Sequence, residues 1–205
     1  MEIPNQITVL YVDDEPELLT LGKLFLERNN ITTLTVSSAA EALSILPATA
    51  IDVVISDYLM PGMDGIVFLQ KIRETGYDIP FILFTGKGRE EVAIEALNAG
   101  ADFYIQKGSD VRSQFSDLTS RIVQVVRRKK AEEELQRKNQ DWEGIFHGIG
   151  QSSLILGPDQ TILSVNRATL DLLNIFEEDI IGKKCHALFH ESDCPADNCP
   201  FDQVL

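Results

Sequence analysis

Five polar side chains stand where apolar, strand-like runs of the sequence end. They are Asp13 and Asp14 after residues 7–12, Asp57 after residues 51–56, Thr85 after residues 81–84 and Lys107 after residues 102–106. If these runs are parallel strands of one sheet, their carboxyl ends meet at one edge, where ligands bind in open α/β sheets. Carboxylates gathered there repel one another unless a cation lies between them, and such hard oxygen ligands suit Mg²⁺, which keeps several of its waters.

The same set of groups could support phosphoryl transfer. A carboxylate can itself act as the nucleophile and become an aspartyl phosphate. A metal ion, the ammonium of Lys107 and the hydroxyl of Thr85 around that carboxylate would neutralise the oxygens of the transferring group. We therefore expect a Mg²⁺-dependent phosphoacceptor site at this edge.

The elements that would position these groups alternate along the first 126 residues. Apolar runs of four to six residues alternate with segments of helical periodicity. The predicted strands are 7–12, 32–36, 51–56, 81–84 and 102–106, and the predicted helices are 16–28, 38–46, 65–75, 90–98 and one starting near 110. This alternation predicts an α/β fold with a doubly wound, five-stranded parallel sheet of the flavodoxin-like type.

These motifs resemble the receiver domain of two-component response regulators. The resemblance rests on the sequences around Asp13 (residues 10–16), Asp57 (residues 54–65), Thr85 (residues 84–86) and Lys107 (residues 104–108). Gly108 stands where most receivers have proline. A receiver of this kind takes part in phosphorelay signalling.

The resemblance implies a role for each acid. Asp57 would accept a phosphoryl group from a partner histidine kinase, with Mg²⁺ as cofactor. Asp14 would bind the metal directly and Asp13 mostly through water, while Asp57 and the main-chain carbonyl of Leu59 would complete the protein ligands. The apolar Leu59 side chain would also shield the phosphoryl group from water and slow its loss.

The resemblance also implies how the phosphoryl group is sensed. Lys107 would pair with its oxygens, Thr85 would donate a hydrogen bond to them, and Tyr104 would act with Thr85 as an aromatic switch. Such a domain assists its own phosphorylation but is not otherwise an enzyme. We recognise no kinase catalytic domain in the sequence.

Composition bears on the partners and the cellular location that we expect for the chain. The formal net charge is −14, with 44% hydrophobic and 24% charged residues, so we expect no nucleic-acid partner and no membrane insertion. The first residues lack the basic and apolar regions of a signal peptide. An odd number of cysteines without such a signal favours a reducing, cytoplasmic location.

A charged helix is predicted to follow the receiver domain of residues 1–126. Residues 127–140 contain six Lys or Arg and three Glu, with Lys129–Glu133 and Lys130–Glu134 spaced to pair along a helix. We predict a helical linker over residues 127–144 that pairs with a second copy to form a homodimer. The mixture of signs favours a solvated helix over a nucleic-acid patch.

The remaining residues, 145–205, resemble the first half of a PAS sensor domain of the α+β class. Two short strands around the turn at Gly157–Gln160 and a helix beginning after Asn166 carry this resemblance. Its implied task is to receive the signal that the linker helix transmits. Two alternatives stay open: a PAS-based sensor of a ligand, metal or redox state, and the N-terminal fragment of a hybrid sensor histidine kinase.

Five residues near the C-terminus could hold a metal or sense redox state, although ordinary reduced thiols are the simpler interpretation. They are Cys185, His186, His190, Cys194 and Cys199. Thiolates and imidazoles are the ligands of zinc and iron–sulfur sites, but the Cys-x₄-Cys spacing is wider than the usual knuckle.

Overall fold

A computed structural model describes residues 7–86, 90–108 and 110–189 of the chain. Five parallel strands form one sheet in the order β2-β1-β3-β4-β5. The strands are β1 (Ile7–Val12), β2 (Ile31–Val36), β3 (Val53–Ser56), β4 (Phe81–Thr85) and β5 (Phe103–Gln106). The predicted parallel sheet is confirmed, and β3 starts two residues later than expected.

Helices cover both faces of this sheet. They are α1 (Pro16–Arg28), α2 (Ala39–Ile45), α3 (Gly65–Glu74), α4 (Glu90–Asn98) and α5 (Val111–Gly148). One buried cluster unites α1 and α5 with the strands, and a second unites α2, α3 and α4 with the opposite face. The predicted α/β architecture is therefore present, and the burial of both faces explains why the strands are almost wholly apolar.

Short polar side chains begin two of the helices. Asp64 accepts hydrogen bonds from the main-chain N–H groups of Ile66 (2.9 Å) and Val67 (2.8 Å) at the start of α3. Ser38 accepts one from Glu41 at 3.3 Å at the start of α2. These bonds satisfy N–H groups that have no partner inside the helix.

The beginning of the charged segment is paired differently from the prediction. Lys129 bonds to Asp78, and Lys130 bonds to Asp52 at 2.9 Å, so neither lysine takes the glutamate four residues later in α5. Arg128 bonds to Asp102. The predicted pairs are wrong because acids before three strands lie within reach of the helix, which local spacing cannot show.

The chain divides into two compact units, residues 1–133 and 134–205. In the second unit β6 (Leu154–Leu156) and β7 (Ile162–Val165) pair antiparallel, and α6 (Arg167–Leu173) and α7 (Cys185–Phe189) follow, with a 3₁₀ turn at Glu177–Asp179 between them. Within the described ranges, no helix combines the length and the apolar composition of a membrane span.

A buried asparagine connects the parts of the second unit. Asn166 accepts hydrogen bonds from the N–H groups of Thr169 and Ser153, both at 3.0 Å, and its amide donates to Gln151 O at 2.8 Å. Since Asn166 is fully buried, these bonds compensate for its loss of water. The same side chain therefore caps α6 and fixes the segment leading into β6.

Candidate functional site

Three of the predicted site residues follow directly after β1, β3 and β5. Asp57 donates its N–H to Val12 O at 2.9 Å, which fixes the end of β3 beside the end of β1. Lys107 donates its N–H to Thr85 O at 2.7 Å, which joins the ends of β5 and β4. The strand register therefore brings residues far apart in sequence to one edge of the sheet.

An ammonium group lies between two buried carboxylates at this edge. Lys107 Nζ donates to Asp13 Oδ2 at 2.8 Å and to Asp57 Oδ1 at 2.7 Å. Asp13 is fully buried and Asp57 is 7% exposed. Lys107 Nζ also lies 5.7 Å from the centroid of the Phe84 ring, whose face attracts a cation. One cation thus offsets the repulsion between two acids on neighbouring strands.

The remaining carboxylate oxygens are held by other donors. Asp57 Oδ2 accepts the main-chain N–H of Leu59 at 2.6 Å. Asp13 Oδ1 accepts the N–H of Glu15 at 3.0 Å, and its Oδ2 also accepts the hydroxyl of Tyr11 at 3.2 Å. Both carboxylates are therefore fixed in orientation before any ligand binds.

Burial and charge shift the pKa values of the site in ways that follow from these contacts. Burial, followed by the nearby Asp13 charge, raises the pKa of the Tyr11 hydroxyl far above its usual range, so this group keeps its proton and donates. Burial also raises the pKa of Asp57, because it outweighs the bond from Lys107. Burial alone would lower the pKa of Lys107, but the hydrogen bonds to the two acids raise it.

The other predicted residues lie in different surroundings. Thr85 is buried at the end of β4, and Tyr104 is half-buried against the core on the face covered by α2, α3 and α4. Asp14 is exposed, and the side chain of Leu59 is 44% exposed. The roles given to these residues stay predictions.

A magnesium ion fits the chemistry of this edge. Asp13 and Asp57 each present a carboxylate oxygen to the Lys107 ammonium, and Asp14, which follows Asp13 in the chain, adds an exposed carboxylate. Within residues 7–86, 90–108 and 110–189, no group of three or more His, Cys, Asp or Glu side chains is arranged to enclose a metal. Mg²⁺ is commonly held by one or two carboxylates and keeps several waters.

Two residues of the site could not be identified from motif spacing. Gly65 opens α3 so close to the site that a Cβ atom there would lie 2.4 Å from Asp57 O and 2.7 Å from the Leu83 side chain. Tyr11 reaches Asp13 because residues two apart in a strand point to the same face. That alternation was the available signal for Tyr11, while the close approach at Gly65 depends on the folded structure.

The structure describes two of the five C-terminal residues predicted to hold a metal or sense redox state. Cys185 packs against the small core of Ile162, Val165 and Ile180. His186 Nδ1 lies 3.2 Å from Gln160 Oε1. The other three predicted residues, His190, Cys194 and Cys199, lie outside the described residues. The metal or redox hypothesis therefore stays a prediction.

Two known regulatory proteins are similar in sequence to most of this chain. Regulatory protein VanR of Enterococcus faecium is 31% identical over 189 residues, covering 89% of this chain and 78% of VanR. The C4-dicarboxylate transport transcriptional regulatory protein DctD of Rhizobium meliloti is 32% identical over 173 residues, covering 81% of this chain but only 36% of DctD. The chain thus spans about a third of that relative's length.

A solved structure shows the same fold. The response regulator TrrA of Thermotoga maritima, crystallised as a complex with Mg²⁺ and BeF, is 28% identical, with a TM-score of 0.52. The match covers 58% of this chain and 98% of TrrA. Residues 9–119 also match the family model of the response regulator receiver domain, and the chain therefore belongs to the response regulator receiver family of two-component signalling.

Proposed function

We propose that Asp57 accepts a phosphoryl group from a histidine kinase in a Mg²⁺-dependent reaction. The observation that carries the proposal is the short contact between Lys107 Nζ and Asp57 Oδ1 in a buried setting. A fixed cation beside one carboxylate oxygen lies where negative charge accumulates during phosphoryl transfer. Like the receiver family in general, this domain would require the metal to complete the site.

The reaction would create a mixed anhydride on the side chain. An oxygen of the Asp57 carboxylate attacks the phosphorus of a phosphohistidine, the P–N bond breaks, and the imidazole leaves with its electron pair and takes up a proton. Lys107 stabilises the phosphoryl oxygens, and Thr85 donates its hydroxyl to them. Mg²⁺, when bound by Asp13, Asp14, Asp57 and the Leu59 carbonyl, supplies further charge neutralisation.

Phosphotransfer to the full chain tests this proposal. We expect acetyl phosphate or a phosphorylated kinase, with Mg²⁺, to add one phosphoryl group to the wild type, visible as a shift in intact mass. Asp57→Asn should abolish the shift, and EDTA should suppress it. Asp141→Asn, which removes an exposed acid of α5, is the matched control and should be phosphorylated normally. Equal labelling of Asp57→Asn would show that the acceptor lies elsewhere.

We further propose that the signal passes through residues 127–144 to a partial PAS domain in residues 145–205. The unbroken course of α5 from Val111 to Gly148 supports a helical linker. The hairpin of β6 and β7 followed by the capped helix α6 supports the PAS interpretation. A sensor of a ligand, metal or redox state, and a fragment of a hybrid kinase, remain the alternative functions.

An exposed apolar row on α5 supports the predicted homodimer. Leu135 is 61% exposed, Trp142 is 52% exposed and Ile145 is 64% exposed. Their spacing of seven and then three residues is that of a coiled-coil seam. We expect Trp142→Glu to lower the molar mass measured by light scattering, whereas Gln140→Glu, on another side of the helix, should not. An unchanged mass would exclude this row as the interface.

The partners and the location of the chain remain proposals as well. A histidine kinase is the partner that a receiver domain implies, and a cytoplasmic location agrees with such a partner. DctD is by name a transcriptional regulatory protein, but the chain spans only 36% of it. The expectation that this chain does not bind nucleic acid rests on its net charge of −14. Mobility-shift assays with random duplex DNA at low salt test it.

A further inference from the structure

The hydroxyl of Tyr11 is a buried polar group that the proposed phosphotransfer does not use. Tyr11 is fully buried in β1, on the face covered by α1 and α5. Its hydroxyl donates to Asp13 Oδ2 at 3.2 Å. A phenylalanine would fill the same apolar space without a polar atom to satisfy. We therefore ask what the Tyr11 hydroxyl contributes at the site.

The surrounding residues hold the Tyr11 ring in place. The centroids of the Tyr11 and Phe84 rings lie 6.5 Å apart. A Cβ atom on Gly22 of α1 would lie 2.4 Å from Tyr11 Cε1, so only glycine leaves room for the ring there. The hydroxyl therefore reaches Asp13 from a fixed position in the core.

Asp13 Oδ2 has two donors of different kinds. One is the Tyr11 hydroxyl, which is immobile, and the other is Lys107 Nζ at 2.8 Å, which also bonds to Asp57. A phosphoryl group on Asp57 brings several new acceptor oxygens within reach of that ammonium, and these compete with Asp13 for it. Without the Tyr11 hydroxyl, Asp13 Oδ2 would then have no donor from the protein in a fully buried setting, which is costly, and only a Mg²⁺-bound water could replace it.

We propose that Tyr11 is a positioning residue that keeps the Asp13 carboxylate hydrogen-bonded when Lys107 turns to the phosphoryl group. This inference rests on the proposed function of Asp57. The Tyr11 hydroxyl lowers the free-energy cost of releasing Lys107 and so favours the phosphorylated state. The unphosphorylated state gains less from it, because there Lys107 still serves Asp13.

Binding of beryllofluoride to the full chain separates this inference from the function on which it rests. We expect calorimetry at saturating Mg²⁺ to show binding to the wild type and about tenfold weaker binding to Tyr11→Phe. Thr33→Val is the matched control, because Thr33 is buried in β2 and its hydroxyl bonds within its own strand at 3.3 Å. It should bind as the wild type does.

The outcomes are distinct. Equal affinity of Tyr11→Phe and the wild type, or an equal loss in Thr33→Val, would overturn the role of Tyr11 while leaving Asp57 as the acceptor. Failure of the wild type to bind would overturn both proposals.

A double-mutant cycle on unfolding, without Mg²⁺, gives a second test that needs no phosphoryl analogue. If Tyr11 and Lys107 substitute for each other at Asp13, the loss of stability in Tyr11→Phe/Lys107→Met should exceed the sum of the two single losses. The single Tyr11→Phe variant keeps the ring and should remain folded, as circular dichroism would check. Strictly additive losses would contradict the proposed exchange of donors.

Discussion

Lys107 Nζ lies 2.7 Å from Asp57 Oδ1, although 50 positions separate the two residues in the chain. Both side chains are largely withdrawn from water, with exposed fractions of 12% and 9%. The contact exists because β3 and β5 end at the same edge of the sheet, on either side of β4. The Lys107 ammonium can therefore offset further negative charge that develops at the oxygens of Asp57.

Removal of the Lys107 ammonium should make the stability of the folded protein depend on Mg²⁺. In Lys107→Met, Asp13 and Asp57 would remain buried without their shared partner, so we expect about 3 kcal/mol lower stability in EDTA. Mg²⁺ should restore more stability to this variant than to the wild type, because it supplies the missing positive charge between the same carboxylates. Urea unfolding with and without Mg²⁺ measures both effects. Equal gains in the two proteins would contradict the shared role.

Leu59 should control how long a phosphoryl group survives. Its N–H bonds to Asp57, and its half-exposed apolar side chain offers nothing to hold an attacking water. In Leu59→Asn the amide could orient a water by one hydrogen bond, so we expect loss of phosphate to be about fivefold to tenfold faster. Leu24→Asn, at an equally exposed leucine of α1, serves as the control. An unchanged lifetime in Leu59→Asn would remove the shielding role.

Gly65 should be required for the packing of α3 against the end of β3. In Gly65→Ala the new methyl group would overlap Asp57 O and the Leu83 side chain, so we expect a loss of about 1–3 kcal/mol in stability. Gly144→Ala is the matched control, because its Cβ meets no atom within 4 Å and lies in helix α5. It should be neutral or stabilising by up to about 1 kcal/mol. Thermal unfolding of both variants checks the difference.

The ion pair of Asp78 should contribute stability only where the acid is ionised. The hydrogen bond from Lys129 lowers the pKa of Asp78. A folded-state pKa below the unfolded value of about 3.9 means that the contribution is complete above that pH and disappears as the pH falls through the folded pKa. Because Asp78 is 82% exposed, the effect is small, about 0.5 kcal/mol.

Unfolding of the wild type and Asp78→Asn across pH measures this contribution. The difference between them should be constant from pH 5 to pH 8 and shrink only below about pH 4. High salt at neutral pH should reduce it as well. A difference that grows toward low pH would contradict the assignment of the pair.

Much of the fold could be predicted from the sequence because buried strands are visible as runs of apolar residues. The bounds predicted for β1 and α4 match the structure, and the polar residues after the strands indicated the edge at which Asp13, Asp57 and Lys107 meet. The information was local in each case: a run of apolar residues, then a polar group. Parallel strands convert such local signals into one site.

What the sequence could not show depends on distances across the fold. Helical spacing predicts an ion pair between Lys129 and Glu133, but in the fold Lys129 pairs with Asp78. Alternation along β1 puts Tyr11 on the side of Asp13, but it does not show that the Tyr11 hydroxyl reaches the Asp13 carboxylate. The close approach of Gly65 to Asp57 is likewise a property of packing, which spacing in the chain does not contain.

The ionic contacts at the start of the charged segment depend on the rotational setting of α5, which the buried apolar residues before Arg128 also share. Three consecutive residues, Arg128 to Lys130, each bond to an acid, at Asp102, Asp78 and Asp52. Successive helical side chains point about 100° apart, so the three contacts lie on different sides of the helix and depend on one rotational setting of residues 128–130. An inserted residue just before Arg128 would turn these three side chains by about 100° and remove them from their acids, while the buried residues of α5 before it would keep their places.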